Sequence, residues 1–303
     1  MEALMSGKSH SMVKLRGKHP GLFLFSCLVA TLAFLLSGCD SDYGSDGGSQ
    51  GAQEKSHPLG VWWWDSALIN DRRYLDFAIQ NKVDEIYLCT ENFDGETRDF
   101  IQRANSNGIG VYLLAGDCTY IEDDAPLQEL FSLYRGYQDS VLDTQRFSGV
   151  HLDIEPHQRP DFEENRAEIL ADFLALIVRL QSQMAVEIDI PFWFDDPVPY
   201  KGREKPLYQA LIDTVDRVFV MSYRDTAEMM YDVAKEEIAY ARRVNKSIML
   251  GAELYSEEGD QVSYMEEGKA YLYGQLDLLR NSLDFLRSGV AIHQIATWYN
   301  LPD

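Results

Sequence analysis

From Leu59 onward, short apolar runs alternate with longer amphipathic stretches, and this alternation narrows what the chain can fold into. Eight runs stand out: Gly60–Trp64, Val83–Leu88, Ile109–Ala115, Gly149–Ile154, Val186–Ile190, Val218–Tyr223, Ile248–Leu250 and Val290–Ala296. Each is short, and several are rich in β-branched or aromatic residues, as buried parallel strands are. The stretches between them have helical character. The clearest, Asp161–Gln183, sets Ile169, Phe173, Leu176, Ile177 and Leu180 on one face. Further helices are expected over Asp71–Asn81, Glu96–Asn107, Pro126–Gln145, Leu207–Val215, Ala227–Val244 and Gln261–Leu286. Eight βα-type strands in a chain of this length predict an α/β fold of the (β/α)8 TIM-barrel type. A doubly wound open sheet is the alternative, weakened because no Gly-rich dinucleotide fingerprint follows the first run. The chain stops at Asp303, soon after the eighth run, so the last outer helix is expected to be missing.

The N-terminal residues obey a different rule. Lys8, Lys14, Arg16 and Lys18 precede an uncharged run from Gly21 to Leu36, rather short for a spanning helix and the right length for the core of an export signal. The run ends Leu36-Ser37-Gly38-Cys39, which resembles the bacterial lipobox. That resemblance implies a cleaved signal over residues 1–38, lipidation of Cys39 and a lipoprotein held to the cell envelope outside the cytoplasm. Residues 39–57 are rich in Gly, Ser and Asp and read as a flexible tether, leaving 58–303 for the barrel.

The whole chain carries a net charge of −22, and losing the basic signal would make it more acidic still. Such a surface repels nucleic acid and anionic lipid, so the membrane is expected to be met through the lipid alone. Neutral, cationic or sugar-like ligands stay open. Beyond Cys27 in the signal and Cys39, the remaining cysteines are Cys89 and Cys118, which outside the cytoplasm either pair or stay free. No Cys/His cluster has metal-ligand spacing, and no cofactor is implied. His151, Asp153 and His157 would be the only starting point for a metal site, and ligands strung along one strand rarely converge.

In barrels of this type the reactive groups sit at the C-terminal ends of the strands. The fourth run reads Ser148-Gly149-Val150-His151-Leu152-Asp153-Ile154-Glu155-Pro156. Strand alternation sends His151, Asp153 and Glu155 to one face and the apolar residues to the other. Ionisable groups aimed into a core are costly unless paired or functional. Crowding of carboxylates raises the pKa of one of them, which keeps an acid protonated near neutral pH.

This segment resembles the strand-four signature D-x-x-D-x-D-x-E of glycoside hydrolase family 18, the chitinase-like barrels. Asp153 and Glu155 match its last two positions, while Ser148 and His151 stand in place of the first two aspartates. The resemblance implies Glu155 as general acid and Asp153 as the residue orienting a substrate N-acetyl group that acts as internal nucleophile. His151 is then expected beside the substrate or hydrogen-bonded to Asp153. The sixth run ends Met221-Ser222-Tyr223-Arg224-Asp225, similar to the family's M-x-Y-D, with Arg224 at the aspartate's place and Asp225 one residue late. Tyr223 would contact the acetamido group, with Met221 and Asp225 beside it. Ala296-Thr297-Trp298 is similar to the family's tryptophan under the reacting sugar. Trp63, within Trp62-Trp63-Trp64-Asp65, and Asp189, opening a segment with Phe192, Trp193, Phe194, Asp195 and Asp196, are further sugar-contact candidates.

A second reading uses other chemistry. Barrel glycosidases with two glutamates place the acid/base after strand four and the nucleophile after strand seven. Glu155 and Glu253 occupy those places, although Ile154 stands where an Asn usually precedes the acid. A carboxyl separation of about 5–5.5 Å would support direct displacement. A barrel that binds carbohydrate without cleaving it is the non-enzymatic alternative.

Overall fold

The computed structural model describes residues 57–255, 261–285 and 287–303. The expected export signal, Cys39 and nearly all of the tether lie outside the described residues. The strands are β1 (Leu59–Trp63), β2 (Glu85–Cys89), β3 (Gly110–Ala115), β4 (Gly149–Leu152), β5 (Val186–Pro191), β6 (Pro197–Tyr200), β7 (Arg203–Pro206), β8 (Arg217–Met221), β9 (Ser247–Glu253) and β10 (Ser288–His293). All but β6 and β7 join in one closed parallel barrel of order β1-β10-β9-β8-β5-β4-β3-β2. The fold is the TIM barrel that the eight runs predict.

The helices are α1 (Arg72–Gln80), α2 (Gly95–Ser106), α3 (Ala125–Ser140), α4 (Phe162–Gln183), α5 (Leu207–Thr214), α6 (Ala227–Val233), α7 (Lys235–Val244), α8 (Gly268–Ser282) and α9 (Ile295–Asn300). The starts of α1, α2 and α6 follow from short acceptor side chains placed where orphan amides need partners. Asp94 accepts from the amides of Glu96 and Thr97, and Asp71 from that of Arg73. None of the helices among the described residues is long and apolar enough to cross a membrane.

Alternation along the strands builds two cores. Val61, Trp63, Ile86, Leu88, Val150, Leu152, Val218, Val220, Leu250 and Ile292 face outward and pack under the helices. Trp62, Tyr87, Leu114, Phe219, Met249 and Ala291 face inward and fill the barrel. The end of the barrel where the strands begin is closed by an ion cluster. Arg217 reaches Glu85 at 2.8 Å and Glu187 at 2.6 Å, and the Tyr87 hydroxyl donates to Glu85 at 2.6 Å.

Three expectations need correction. A last helix is present: α9 follows β10 and packs beside α1. The eighth strand ends at His293, so Ala296 and Trp298 belong to that helix. The acids and aromatics after β5 lead into an antiparallel hairpin, β6–β7, that alternation alone did not reveal. Lys205 pins it by hydrogen bonds to Asp213 and Tyr240.

Candidate active site

The strand ends gather a group of acids, two of them in contact. Beyond β4, the Asp153 amide donates to Ala115 O at 2.9 Å, extending the pairing with β3. Gly116 makes this approach possible, since a Cβ there would lie 2.1 Å from Asp153 O. Asp153 hydrogen-bonds Asp189, which projects from β5 with 3% of its surface exposed. Asp189 Oδ2 accepts from Trp62 Nε1 at 3.2 Å and faces His151 Nε2 at 2.8 Å. Asp189 Oδ1 and Asp153 Oδ1 are both buried without an N–H or hydroxyl donor. Two carboxyl groups in contact require a proton between them. Burial, then the charges of Asp189 and Glu155, hold the Asp153 carboxyl well above the usual range. Both N–H contacts fall on Asp189, and the raised carboxyl is Asp153.

His151 is fully buried below this pair, so it faces Asp189 rather than a ligand at the mouth. Its ring stacks on Tyr87 at 4.5 Å and meets Phe219 edge-on at 4.4 Å, while Nδ1 lies 3.8 Å from Glu187. Burial pulls its pKa down, but Asp189 and Glu187 outweigh that and push it up to about 9. His151 is therefore an imidazolium at neutral pH, and the expectation of sugar contact is corrected by its depth.

Glu155 stands farther out, its side chain 19% exposed. The Gln158 amide donates to Oε2, and His157 Nε2 lies 3.5 Å from Oε1. Burial, helped by Arg166, lowers the His157 pKa to about 4, so that ring is neutral.

Tyr223 follows β8, its ring 3.0 Å from the point a Cβ on Gly251 would occupy. Its phenol is raised well above the ordinary value, by burial first and then by the charges of Glu253, Asp153, Asp189 and Glu155. The hydroxyl is thus a neutral donor among four acids. Glu253, 3% exposed, accepts from the amides of Leu254 at 2.6 Å and Tyr255 at 2.8 Å. His293 Nδ1 faces its Oε2 at 3.0 Å, and Trp64 Nε1 donates to His293 Nε2 at 2.9 Å. The indole donor fixes the tautomer: Nδ1 carries the proton and gives it to Glu253.

The structure therefore brings together Asp153, Glu155, Asp189, Tyr223 and Glu253. Met221 ends β8 on the same inward register as Phe219. Other expected contacts go elsewhere. Trp63 points outward, 4.9 Å from Phe100 and 6.2 Å from Tyr74; the inward indoles are its neighbours Trp62 and Trp64. Trp298 is fully buried on α9 against Phe77 and Tyr273, in the helical shell. Asp225 turns toward Tyr264, Tyr271 and the backbone of Gln261. Arg224 donates to Tyr223 O at 2.6 Å and lies 4.9 Å above the Phe192 ring. Cys89 and Cys118 are free thiols, and burial pushes Cys89 up to about 12. Among the described residues no group of three His, Cys, Asp or Glu side chains is arranged to hold a metal ion.

Sequence reasoning missed His293, Trp64 and Tyr255. The signal for His293 was present: it continues the inward parity of Ala291, once the strand is ended two residues before Ile295.

No family model and no curated protein sequence matches the chain. Among solved structures, it is similar to a chitinase from Bacteroides thetaiotaomicron, at 11% identity and TM-score 0.49, over 81% of this chain and 94% of that one. It is also similar to a chitinase from Chromobacterium violaceum, at 13% identity and TM-score 0.45, over 81% of this chain and 98% of that one. A third is the spore cortex-lytic enzyme SleL of Bacillus megaterium, at 12% identity and TM-score 0.47, over 81% and 73%. These likenesses are shallow, and the barrel assignment rests on the closed strand order itself.

Proposed function

We propose that the protein is a glycoside hydrolase acting on glycans that contain N-acetylhexosamine, with Glu155 as general acid. The observation that carries this reading is the buried, hydrogen-bonded pair Asp153–Asp189 behind a more open Glu155 at the end of β4. Glu155 is the carboxyl with access to a glycosidic oxygen. Asp153 lies behind it, where it can accept from an acetamido N–H and answer positive charge as the acetamido oxygen attacks the anomeric carbon. The neutral Tyr223 hydroxyl supplies a donor to the same group. Trp64 and Tyr255, around His293, offer flat faces for sugar C–H surfaces. The reading includes an export signal ending at Gly38 and a lipid on Cys39 that tethers the barrel outside the cytoplasm.

A second reading, with Glu253 as nucleophile, draws support from its burial beside Tyr223. Against it, Oε1 already accepts two backbone amides and Oε2 faces His293. A thiazoline analogue of the cyclised acetamido intermediate inhibits under the first reading. A 2-fluoro glycoside that traps a glycosyl ester on Glu253 supports the second.

Hydrolysis of chromogenic N-acetylhexosaminides and their oligomers by the purified protein, beside Glu155→Gln, tests the proposal. Turnover that falls by about 10²–10⁴-fold in the variant supports it. Oligomer binding without turnover, equal in both proteins, overturns it in favour of a binding barrel.

A further inference from the structure

We infer that Arg224 is a specificity residue for a carboxylate borne by the glycan, so that the preferred substrate is an acidic amino-sugar chain rather than a neutral one. The ligand's role as a substrate rests on the proposed hydrolase reading; its binding rests on the geometry of the mouth. β5 and β8 are neighbours in the barrel, with Pro191 opposite Met221 at their last paired position. Phe192 and Arg224 follow those strands and meet beyond that seam, the guanidinium 4.9 Å from the ring centroid. Arg224 Nη1 donates to Tyr223 O at 2.6 Å, on the residue whose hydroxyl is set among the acids. A guanidinium carries a fork of N–H donors, and this bond uses one of them.

What Arg224 lacks is an acid. Two other arginines that follow β4 are answered: Arg159 reaches Glu122 at 2.6 Å and Asp161 at 2.9 Å, and Arg166 reaches Asp196 at 2.7 Å. Among the described residues no carboxylate stands within ion-pairing distance of Arg224. Its neighbour Asp225 is turned toward Tyr264 and Tyr271. Arg224 is half-buried, and the Phe192 ring and the Tyr223 carbonyl hold it in place before any ligand arrives. Such a cation has part of its ordering cost met in advance. A neutral chain offers it only hydroxyls and amides, whereas a carboxylate engages the planar fork with two oxygens and a full charge.

The chain's net charge of −22 works against a dense polyanion at long range. It does not exclude a carboxylate at contact, because exposed charges more than about 8–10 Å away are largely screened. The ligand is therefore a chain of N-acetylhexosamine with carboxylates at intervals. Two chemistries supply them: a lactyl ether on the amino sugar itself, or a uronic acid as its neighbour.

The test is calorimetric binding of three tetrasaccharides to Glu155→Gln, which holds them uncleaved, and to Glu155→Gln carrying Arg224→Met or Arg224→Lys. The three are tetra-N-acetylchitotetraose, N-acetylglucosamine alternating with its 3-O-lactyl ether, and N-acetylglucosamine alternating with glucuronate. The expected result is an acidic tetrasaccharide bound about ten-fold or more tighter than the neutral one, with that ratio falling to near one in Arg224→Met. Arg224→Lys keeps the charge without the fork and recovers only part of the ratio. Preference for the lactyl ether puts the carboxylate on the amino sugar, and preference for the glucuronate chain puts it on the neighbour. Converting the carboxylates to amides abolishes the preference with Arg224 intact, a reading that needs no Arg224 variant to fold. A neutral tetrasaccharide bound as tightly as both acidic ones, no binding of any of the three, or a preference that survives Arg224→Met overturns the inference. Turnover by the parent is read separately: a preference that depends on Arg224 without turnover keeps the inference and tells against the hydrolase reading.

Discussion

The two ends of one barrel handle buried charge in opposite ways. Where the strands begin, Glu85 and Glu187 are answered by Arg217 at 2.6–2.8 Å, with the guanidinium 5.2 Å above Phe219. Where the strands end, Asp189 and Glu253 are met by histidines, an indole and backbone amides rather than by a guanidinium. At the first end a guanidinium that keeps its charge bridges the two glutamates. At the second the balance is struck with protons: a raised Asp153 carboxyl against Asp189, a charged His151 ring, and the Nδ1–H of His293 turned to Glu253. A cation that cannot lose its charge suits a plug, and groups that exchange protons suit chemistry.

The largest expected effect falls on the mouth. Glu155→Gln keeps shape and hydrogen-bonding capacity while removing the acid, so turnover drops by about 10²–10⁴-fold with little change in unfolding free energy. Arg217→Met should show the reverse. It leaves the half-buried Glu85 and Glu187 without their cation, a loss of roughly 2–4 kcal/mol in urea unfolding, below the full cost of breaking a buried pair, while turnover per folded molecule is kept. If Arg217→Met lowers turnover as strongly as Glu155→Gln, the division between the two ends fails.

Trp298→Phe sharpens the comparison from the helical shell. Its indole packs against Phe77 and Tyr273, so the change should cost roughly 1–3 kcal/mol of stability and leave KM for oligomers untouched. A large rise in KM would return Trp298 to the sugar site.

The smallest effects are in pH. His151, raised to about 9, stabilises the fold fully below the unfolded value near 6.5, and that contribution is lost as pH rises through 9. His157, lowered to about 4, contributes fully above about 6.5, and its contribution is lost as pH falls through 4. Urea unfolding across pH 4–9 should therefore give a maximum near the middle. His157→Phe should flatten the acid limb and His151→Asn the alkaline one. Unchanged limbs in those variants would contradict the assigned protonation states.

The barrel was legible because parallel strands buried on both faces must be short apolar runs, and eight of them are spaced by helix-length segments. Asp153, Glu155 and Tyr223 were legible because strand parity and position at the C-terminal ends select them. Parity also explains the errors. Trp63 lies one residue out of register with the inward face, and Trp298 was placed on a strand that ends at His293. Depth was beyond sequence: His151 and Asp189 share the inward parity of ligand-facing residues, yet the rings of Trp62, Tyr87 and Phe219 pack against His151, and Trp62 bonds Asp189. The pairing of Asp153 with an acid on another strand depends on barrel closure, which no local motif encodes.

The most direct test measures turnover and urea unfolding side by side in the parent, Glu155→Gln and Arg217→Met, on an N-acetylhexosamine oligomer. The account predicts that Glu155→Gln loses turnover and keeps its unfolding midpoint, whereas Arg217→Met loses the midpoint and keeps turnover per folded molecule. A Glu155→Gln protein that still hydrolyses the oligomer at the parent's rate would contradict it.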